Sequence, residues 1–190
     1  MKKFVLGLMI SAGLLGATTV VANADTTGSS TGDVTFTGGT LSMSVDATHL
    51  AFGSNTISSS DATLATSSTP TVTVSDLRGN SAGWTLTVAQ GQQFNTALNG
   101  TGSSLINAAL TVAGTESDSA VTNGSTTLTP GTTSAAGAAG TVASAKNGTG
   151  NGASTVTFSD SKLAVPGKTT KLATGYTTTL TWNLNDTPGN

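Results

Sequence analysis

Residues able to support catalysis are few in this sequence. His49 is the sole histidine, Asp46 precedes it by three positions, and cysteine is absent. A Ser-His-Asp hydrolase would need His49 as its base, and a glycosidase would need two carboxylates flanking a sugar. Glu116 is the sole glutamate, and with Asp118 in GTESDSA it offers too few oxygen ligands for Ca²⁺. We therefore expect no enzyme activity, no metal site and no cofactor.

The two tryptophans each stand two residues before a leucine. The pairs are Trp84 with Leu86 and Trp182 with Leu184. In a β-strand, alternate side chains share one face, so each tryptophan points to the same side as its leucine. Two roles stay open for these pairs: they pack in the core, or they form a surface that stacks on a sugar or a partner, because tryptophan is rarely wholly buried.

The elements that must position these residues are strands. Polar and apolar residues alternate in both tryptophan stretches, GWTLTVAQ and YTTTLTWNL. We count eight to ten short strands and no long helix, which predicts an all-β, antiparallel β-sandwich-like single domain. The terminal strand, over residues 176–184, should be internal or well paired. Further alternating stretches cover residues 33–38, 41–46, 71–76, 155–160 and 162–167.

The connections between these stretches carry turn residues. DLRGNSAG joins residues 71–76 to the Trp84 strand, and we expect those two strands to pair. Asp76 and Arg78 should shape this turn through an ion pair or hydrogen bonds; the alternative is that they contact a ligand directly. Residues 105–114 are ambiguous: the first half is compatible with a helical turn, and Leu110 and Val112 then indicate a strand. Residues 115–154 are rich in Gly, Ala, Ser, Thr and Asn and predict a mobile, variable loop region with one short strand near Leu128.

The N-terminus has the pattern of a secretory signal peptide. Lys2 and Lys3 precede an apolar run, and Ala22-Asn23-Ala24 has the small residues of a cleavage site. We expect residues 1–24 to be cleaved, residues 25–32 to form a flexible leader, and residues 33–190 to form the domain. The protein should then be secreted, with no segment that crosses a membrane.

Charge and composition exclude some classes of partner. The chain has 7 basic and 9 acidic residues, and loss of Lys2 and Lys3 leaves a net charge of about −4. Phosphate binding needs clustered basic residues, so nucleic acid is a poor candidate partner. Because there is no disulfide, the fold depends on its core alone.

The motifs together resemble a known family. DLRGNSAGWTLTV and GYTTTLTWNLNDTP, with SVDATHLAFGSNTIS upstream, are similar to the WxL-domain proteins of low-GC Gram-positive bacteria. In that family an Asp-x-Arg-Gly turn and a Gly-Trp step precede the first Trp-x-Leu. The second Trp-x-Leu lies near the C-terminus, followed by Asp and Pro. The corresponding residues are Asp76, Arg78, Gly79, Gly83, Trp84, Leu86, Trp182 and Leu184.

The resemblance implies function by binding. WxL domains attach noncovalently to the cell surface, with peptidoglycan as the expected ligand, and small members assemble with larger WxL proteins and a membrane-anchored partner. The location implied is the cell wall. The alternative is a structural or adhesive subunit that binds other WxL proteins or host matrix proteins without contacting glycan.

Overall fold

The structure is a computed structural model that describes residues 27–46, 49–132 and 135–189. The chain divides into two compact units, Met1–Thr35 and Phe36–Asn190. In the first unit, residues 27–35 are exposed and form neither helix nor strand. The predicted signal peptide lies outside the described residues. Across the described ranges, no helix has the length and apolar character needed to span a membrane.

The second unit is built from strands, and its described residues form no helix. Each strand has the alternation, β-branched residues and flanking turn residues that favour extended backbone. The strands are β1 (Leu41–Val45), β2 (Ala62–Ala65), β3 (Thr71–Asp76), β4 (Trp84–Gln90), β5 (Ala109–Ala113), β6 (Val121–Asn123), β7 (Ser125–Leu128), β8 (Gly140–Ala145), β9 (Gly152–Thr157), β10 (Lys162–Val165) and β11 (Leu180–Asn185).

These strands form three antiparallel sheets. The first sheet has the order β1-β3-β9, the second β2-β10-β5-β7, and the third β11-β4-β8-β6. Gly124, between β6 and β7, joins the second and third sheets, since its C=O accepts from Gly114 N–H and its N–H donates to Val142 O, both at 2.9 Å. The predicted all-β, sandwich-like fold is confirmed.

The core is made by alternate side chains of the central strands, and all three sheets contribute to it. A fully buried aliphatic or aromatic side chain contributes about 1.5–3 kcal/mol, so this cluster supplies the main driving force in the absence of disulfides. The largest fully enclosed apolar side chains are Trp84, Phe158, Leu86, Leu110, Val72, Val74, Val88, Val112, Val142 and Val156.

The expected pairing of the strands on either side of DLRGNSAG is wrong. β3 pairs with β1 and β9, whereas β4 pairs with β11 and β8. Both edges of each strand are therefore already occupied. The turn over residues 77–83 carries the chain from the first sheet to the third, and so acts as a corner rather than a hairpin.

The low-complexity region is far more regular than expected. Instead of a mobile loop, residues 115–154 contain β6, β7, β8 and the start of β9. β8 is an interior strand of the third sheet, and Val142, Ala143 and Ala145 have no exposed surface. Small side chains fill an interior strand where neighbouring sheets leave little room, and alternation of large apolar residues cannot reveal such a strand. The predicted short strand near Leu128 is confirmed as β7.

Two further stretches differ from expectation. Residues 33–38 form no strand, and the side chains of Val34 and Phe36 are 77% and 89% exposed. Alternation makes a strand only where a neighbour offers hydrogen bonds. Conversely, β2 lies within SSSDATLATSSTP, which the sequence predicted as a turn, because β10 pairs with it. In residues 105–114 the predicted strand is confirmed as β5, and the segment before it is a tight turn closed by the bond from Ala108 N–H to Leu105 O at 3.1 Å rather than a helical turn.

Among the described strands, the terminal strand has a partner on one side only. β11 forms six residue pairs with β4, but it lies at the edge of the third sheet. The prediction that it is internal or well paired is confirmed by its pairing along β4, although the strand lies at the edge of its sheet. Its apolar side chains are consequently only half-buried, in contrast to those of β4.

Candidate functional site

The two Trp-x-Leu pairs lie on neighbouring strands. β4 and β11 run antiparallel, with Leu184 opposite Leu86 and Trp182 opposite Val88. The two leucines therefore meet, and the two tryptophans lie towards opposite ends of the paired segment. The pairing of β4 with β11 therefore joins two parts of the chain that are far apart in sequence.

Trp84 and Leu86 are core residues. Neither side chain has any exposed surface. The indole N–H of Trp84 donates to the carbonyl oxygen of Gly150 at 3.1 Å, which satisfies the polar end of the ring inside the protein. These two residues hold β4 in the third sheet and have no free group to offer a ligand.

Trp182 and Leu184 occupy a different environment. Both are half-buried, because none of the described strands pairs with the outer side of β11. The Trp182 ring packs against Phe158 with a centroid distance of 4.7 Å and an interplanar angle of 49°. Trp182 is thus anchored to the core while part of its surface remains open to solvent.

Asp76 and Arg78 form the ion pair that the sequence suggested. Arg78 Nε donates to Asp76 Oδ1 at 2.9 Å, and Nη2 donates to Oδ2 at 2.7 Å. Nη2 also donates to the carbonyl oxygen of Gly83 at 2.6 Å, so one guanidinium fixes both ends of the corner before Trp84. This fork geometry is specific to arginine.

The pair is shielded from solvent, which strengthens its electrostatics. The Asp76 side chain is fully enclosed and that of Arg78 is 16% exposed. Hydrogen bonds from Arg78 hold the pKa of Asp76 below its usual value, against the opposing effect of burial. The same bonds raise the pKa of Arg78, and the nearby Asp186 adds to this increase.

Both predicted turn glycines have a left-handed backbone, with φ of 70° at Gly79 and 73° at Gly83. A Cβ at Gly83 would lie 2.5 Å from the carbonyl oxygen of Ala145, whereas Gly79 has open space around it. Glycine is therefore required at position 83 both for the positive φ and for close packing, and at position 79 for the positive φ alone.

These residues border a groove that we call the Trp182 groove. It has a volume of about 630 Å³ and runs between β1 and β11, the edge strands of the first and third sheets. Its wall combines apolar side chains, which can pack against a ligand, with polar and charged groups, which can hydrogen-bond to it. Its lining residues are Leu41, Ser42, Met43, Arg78, Trp182, Asn183, Leu184, Asn185 and Asp186.

Sequence reasoning missed the contribution of β1 to this groove. Leu41 and Met43 are half-buried and pack against the core from the edge of the first sheet. The alternation in LSMSV predicted their shared face. It could not predict that β1 would lie opposite β11, because the two strands are far apart in sequence and belong to different sheets.

The other candidate residues lie elsewhere. His49 is exposed, and its backbone carbonyl accepts the Ser68 hydroxyl at 2.6 Å. Glu116 Oε1 accepts backbone N–H groups of Ser117 and Asp118 within a turn, at 3.1 and 3.3 Å. In the described part of the chain, no three His, Asp or Glu side chains come close enough to hold a metal ion.

An all-β domain with a half-exposed tryptophan in an edge groove has the features of a binding module. A family model described as "WxL domain surface cell wall-binding" matches residues 18–188, nearly the whole chain. The chain belongs to this WxL-domain family, whose description places it at the cell surface. Comparison with curated proteins and with solved structures gave no match.

Proposed function

We propose that this protein attaches noncovalently to the Gram-positive cell surface by binding peptidoglycan in the Trp182 groove. In this proposal it is exported by residues 1–24, catalyses no reaction, and serves in a surface complex with other WxL proteins and a membrane-anchored partner. Membership of a cell-wall-binding family supports attachment. The difference between the two tryptophans supports this groove as the site. Of the four residues in the Trp-x-Leu pairs, only Trp182 and Leu184 keep exposed surface.

The groove offers complementary chemistry for a peptide-bearing glycan. Trp182, Leu184 and Met43 present apolar surface on which sugar rings and alanine methyl groups can pack. Arg78 uses Nε and Nη2 for Asp76 and Gly83, and no described residue accepts from its Nη1 group. Those two remaining hydrogens can bind a ligand carbonyl or carboxylate.

Replacing Trp182 with phenylalanine is expected to weaken retention on purified peptidoglycan several-fold while leaving a cooperative melt. Phenylalanine keeps most of the packing against Phe158 but removes the indole N–H and part of the ring surface that faces the groove. The measurement is cosedimentation with peptidoglycan, alongside thermal unfolding of the same samples.

Trp84→Phe is the matched control for this experiment. It removes the hydrogen bond to Gly150 in the core, so it should lower the melting temperature without weakening retention of the folded protein. If Trp182→Phe binds like the wild type, the ligand site lies outside the groove. A loss of retention that tracks only the melting temperature in both variants would also contradict the proposal.

Retention on peptidoglycan is expected to tolerate moderate salt. The expected mature charge is about −4, so attraction to anionic wall polymers is weak, and binding should depend on hydrogen bonds and apolar contacts. Cosedimentation at low and physiological ionic strength should give similar bound fractions. Loss of most binding over this range would show that charge attraction dominates instead.

One observation favours the alternative function, a structural or adhesive subunit that binds other WxL proteins or host matrix proteins. β11 and β1 each have an outer edge without a neighbouring strand in the described sheets. Such edges can accept a strand from another protein. Another WxL protein that binds the Trp182→Phe variant as tightly as it binds the wild type would favour this function over glycan contact at Trp182.

A further inference from the structure

The two edge strands border an opening into the core, which we call the seam. The Trp182 groove forms one end of the seam. The other end opens into a larger apolar chamber of about 1440 Å³, whose lining includes Val45 of β1, Leu180 and Trp182 of β11, and Phe94 and Phe158. Because Trp182 borders both spaces, the seam extends along β11 past its half-buried side chains.

The edge of β11 can accept another strand. Thr179 O accepts from Gly91 N–H at 2.8 Å, so the backbone groups of Thr179 point towards the strand that contains β4. In an antiparallel pair successive residues bond to opposite sides, so the N–H and C=O groups of Leu180, Trp182 and Leu184 point away from β4. These residues therefore present along the seam both apolar side chains and backbone groups that no described strand pairs with.

The same chain carries a segment that matches this edge. Residues 33–38, DVTFTG, alternate as a strand should, yet Val34 and Phe36 are 77% and 89% exposed. Six extended residues span about 20 Å, the length of a six-residue strand such as β11. Val34 and Phe36 are two residues apart, so an extended backbone places them on one face, where the apolar surface of a partner can cover both.

We propose that this protein self-associates by strand addition, in which residues 33–38 of one copy pair with the edge of β11 in a second copy. Val34 and Phe36 would then enter the apolar chamber beside Leu180 and Trp182, while Thr35 and Thr37 face outward with Asn183. A head-to-tail contact of this kind leaves a free segment and a free edge at the two ends, so it generates chains of molecules rather than closed pairs. It goes beyond peptidoglycan binding and does not depend on it.

The first test is sedimentation velocity of the signal-cleaved protein from about 1 to 300 µM, the range of weak edge contacts. We expect concentration-dependent association for the wild type, and at least about tenfold weaker association for Phe36→Asp, since a charge cannot enter the chamber without cost. Ile106→Asp is the matched control, because Ile106 is 65% exposed and borders neither the groove nor the chamber. Peptidoglycan retention of Phe36→Asp at low concentration should equal that of the wild type, which separates this proposal from the previous one.

The second test locates the contact, and it is possible because the chain has no cysteine. Thr35→Cys protein is mixed with Asn183→Cys protein under mild oxidation, with Thr35→Cys and Lys162→Cys as the control pair, because Lys162 is exposed on a different sheet. We expect a mixed disulfide dimer for the first pair in excess of the control.

A wild type that stays monomeric, or a Phe36→Asp variant that associates equally well, would overturn the proposal. An intramolecular disulfide in the Thr35→Cys/Asn183→Cys double variant, without cross-linked dimers, would also overturn it, because the segment would then cover its own seam.

Discussion

Replacing Arg78 with alanine is expected to lower the melting temperature by about 10 °C, because the enclosed Asp76 carboxylate loses its guanidinium partner and keeps the bond from the backbone N–H of residue 78, at 3.2 Å. Arg78 supplies the bonds to both oxygens of Asp76 and the bond that closes the corner at Gly83. Thermal unfolding followed by circular dichroism measures the loss. The melting temperature of Arg78→Lys should lie between those of Arg78→Ala and the wild type, since an ammonium group keeps the charge but cannot reproduce the two parallel hydrogen bonds of the guanidinium.

The decrease in melting temperature caused by Arg78→Ala should depend on pH, and it should become smaller as the pH falls. The folded-state pKa of Asp76 lies below its unfolded value of about 3.9, so the ion pair stabilises the fold above that value, and this contribution is lost as the pH falls through the folded-state pKa. In Arg78→Ala, protonation removes the unpaired charge at low pH. The difference in melting temperature between wild type and variant should therefore be largest near neutral pH and smaller below about pH 3.5.

Lys162→Ala is the control for net charge. Lys162 is exposed on β10, so its removal changes the total charge by the same amount with little expected effect on melting. If Arg78→Ala melts like Lys162→Ala at neutral pH, the ion pair does not hold the corner. A difference between Arg78→Ala and the wild type that grows as the pH falls would contradict the role assigned to Asp76.

Deleting residues 176–190 is expected to abolish cooperative folding. The deletion removes the six residue pairs between β11 and β4 and exposes the far side of β4, including Leu86 and Val88. It also removes four half-buried large side chains, Tyr176, Leu180, Trp182 and Leu184. Their combined burial is worth about 3–6 kcal/mol, which is comparable with the total stability of many domains.

Far-UV circular dichroism and urea titration of the truncated protein test this expectation. The matched control deletes only residues 187–190, which costs the Thr187 carbonyl bond to Thr85 and the Gly189 bond to Ala145 but leaves β11 intact. The control should retain a cooperative transition. A truncated protein with an unchanged spectrum and melt would show that the third sheet forms without β11.

The sequence by itself determined the strand-forming character of the chain, the family, and the chemistry of the corner. Period-two alternation with β-branched residues predicted β3, β4, β9, β10 and β11, because the face on which a side chain lies follows directly from strand geometry. The spacing of Asp76, Arg78 and Gly83 is local, so the ion pair and the tight corner were accessible to sequence reasoning.

Tertiary structure alone decided which strands have a neighbour on both sides. Trp84 and Trp182 stand in the same Trp-x-Leu pattern, yet the first is enclosed between two strands and the second lies on an edge strand, half-exposed. The same distinction explains β8, whose small residues fill an interior position, and residues 33–38, whose alternation finds no partner strand in the part of the chain that the structure describes. Alternation specifies a face, but burial depends on which strands pair across long sequence separations, and those pairings are set by the packing of the whole domain.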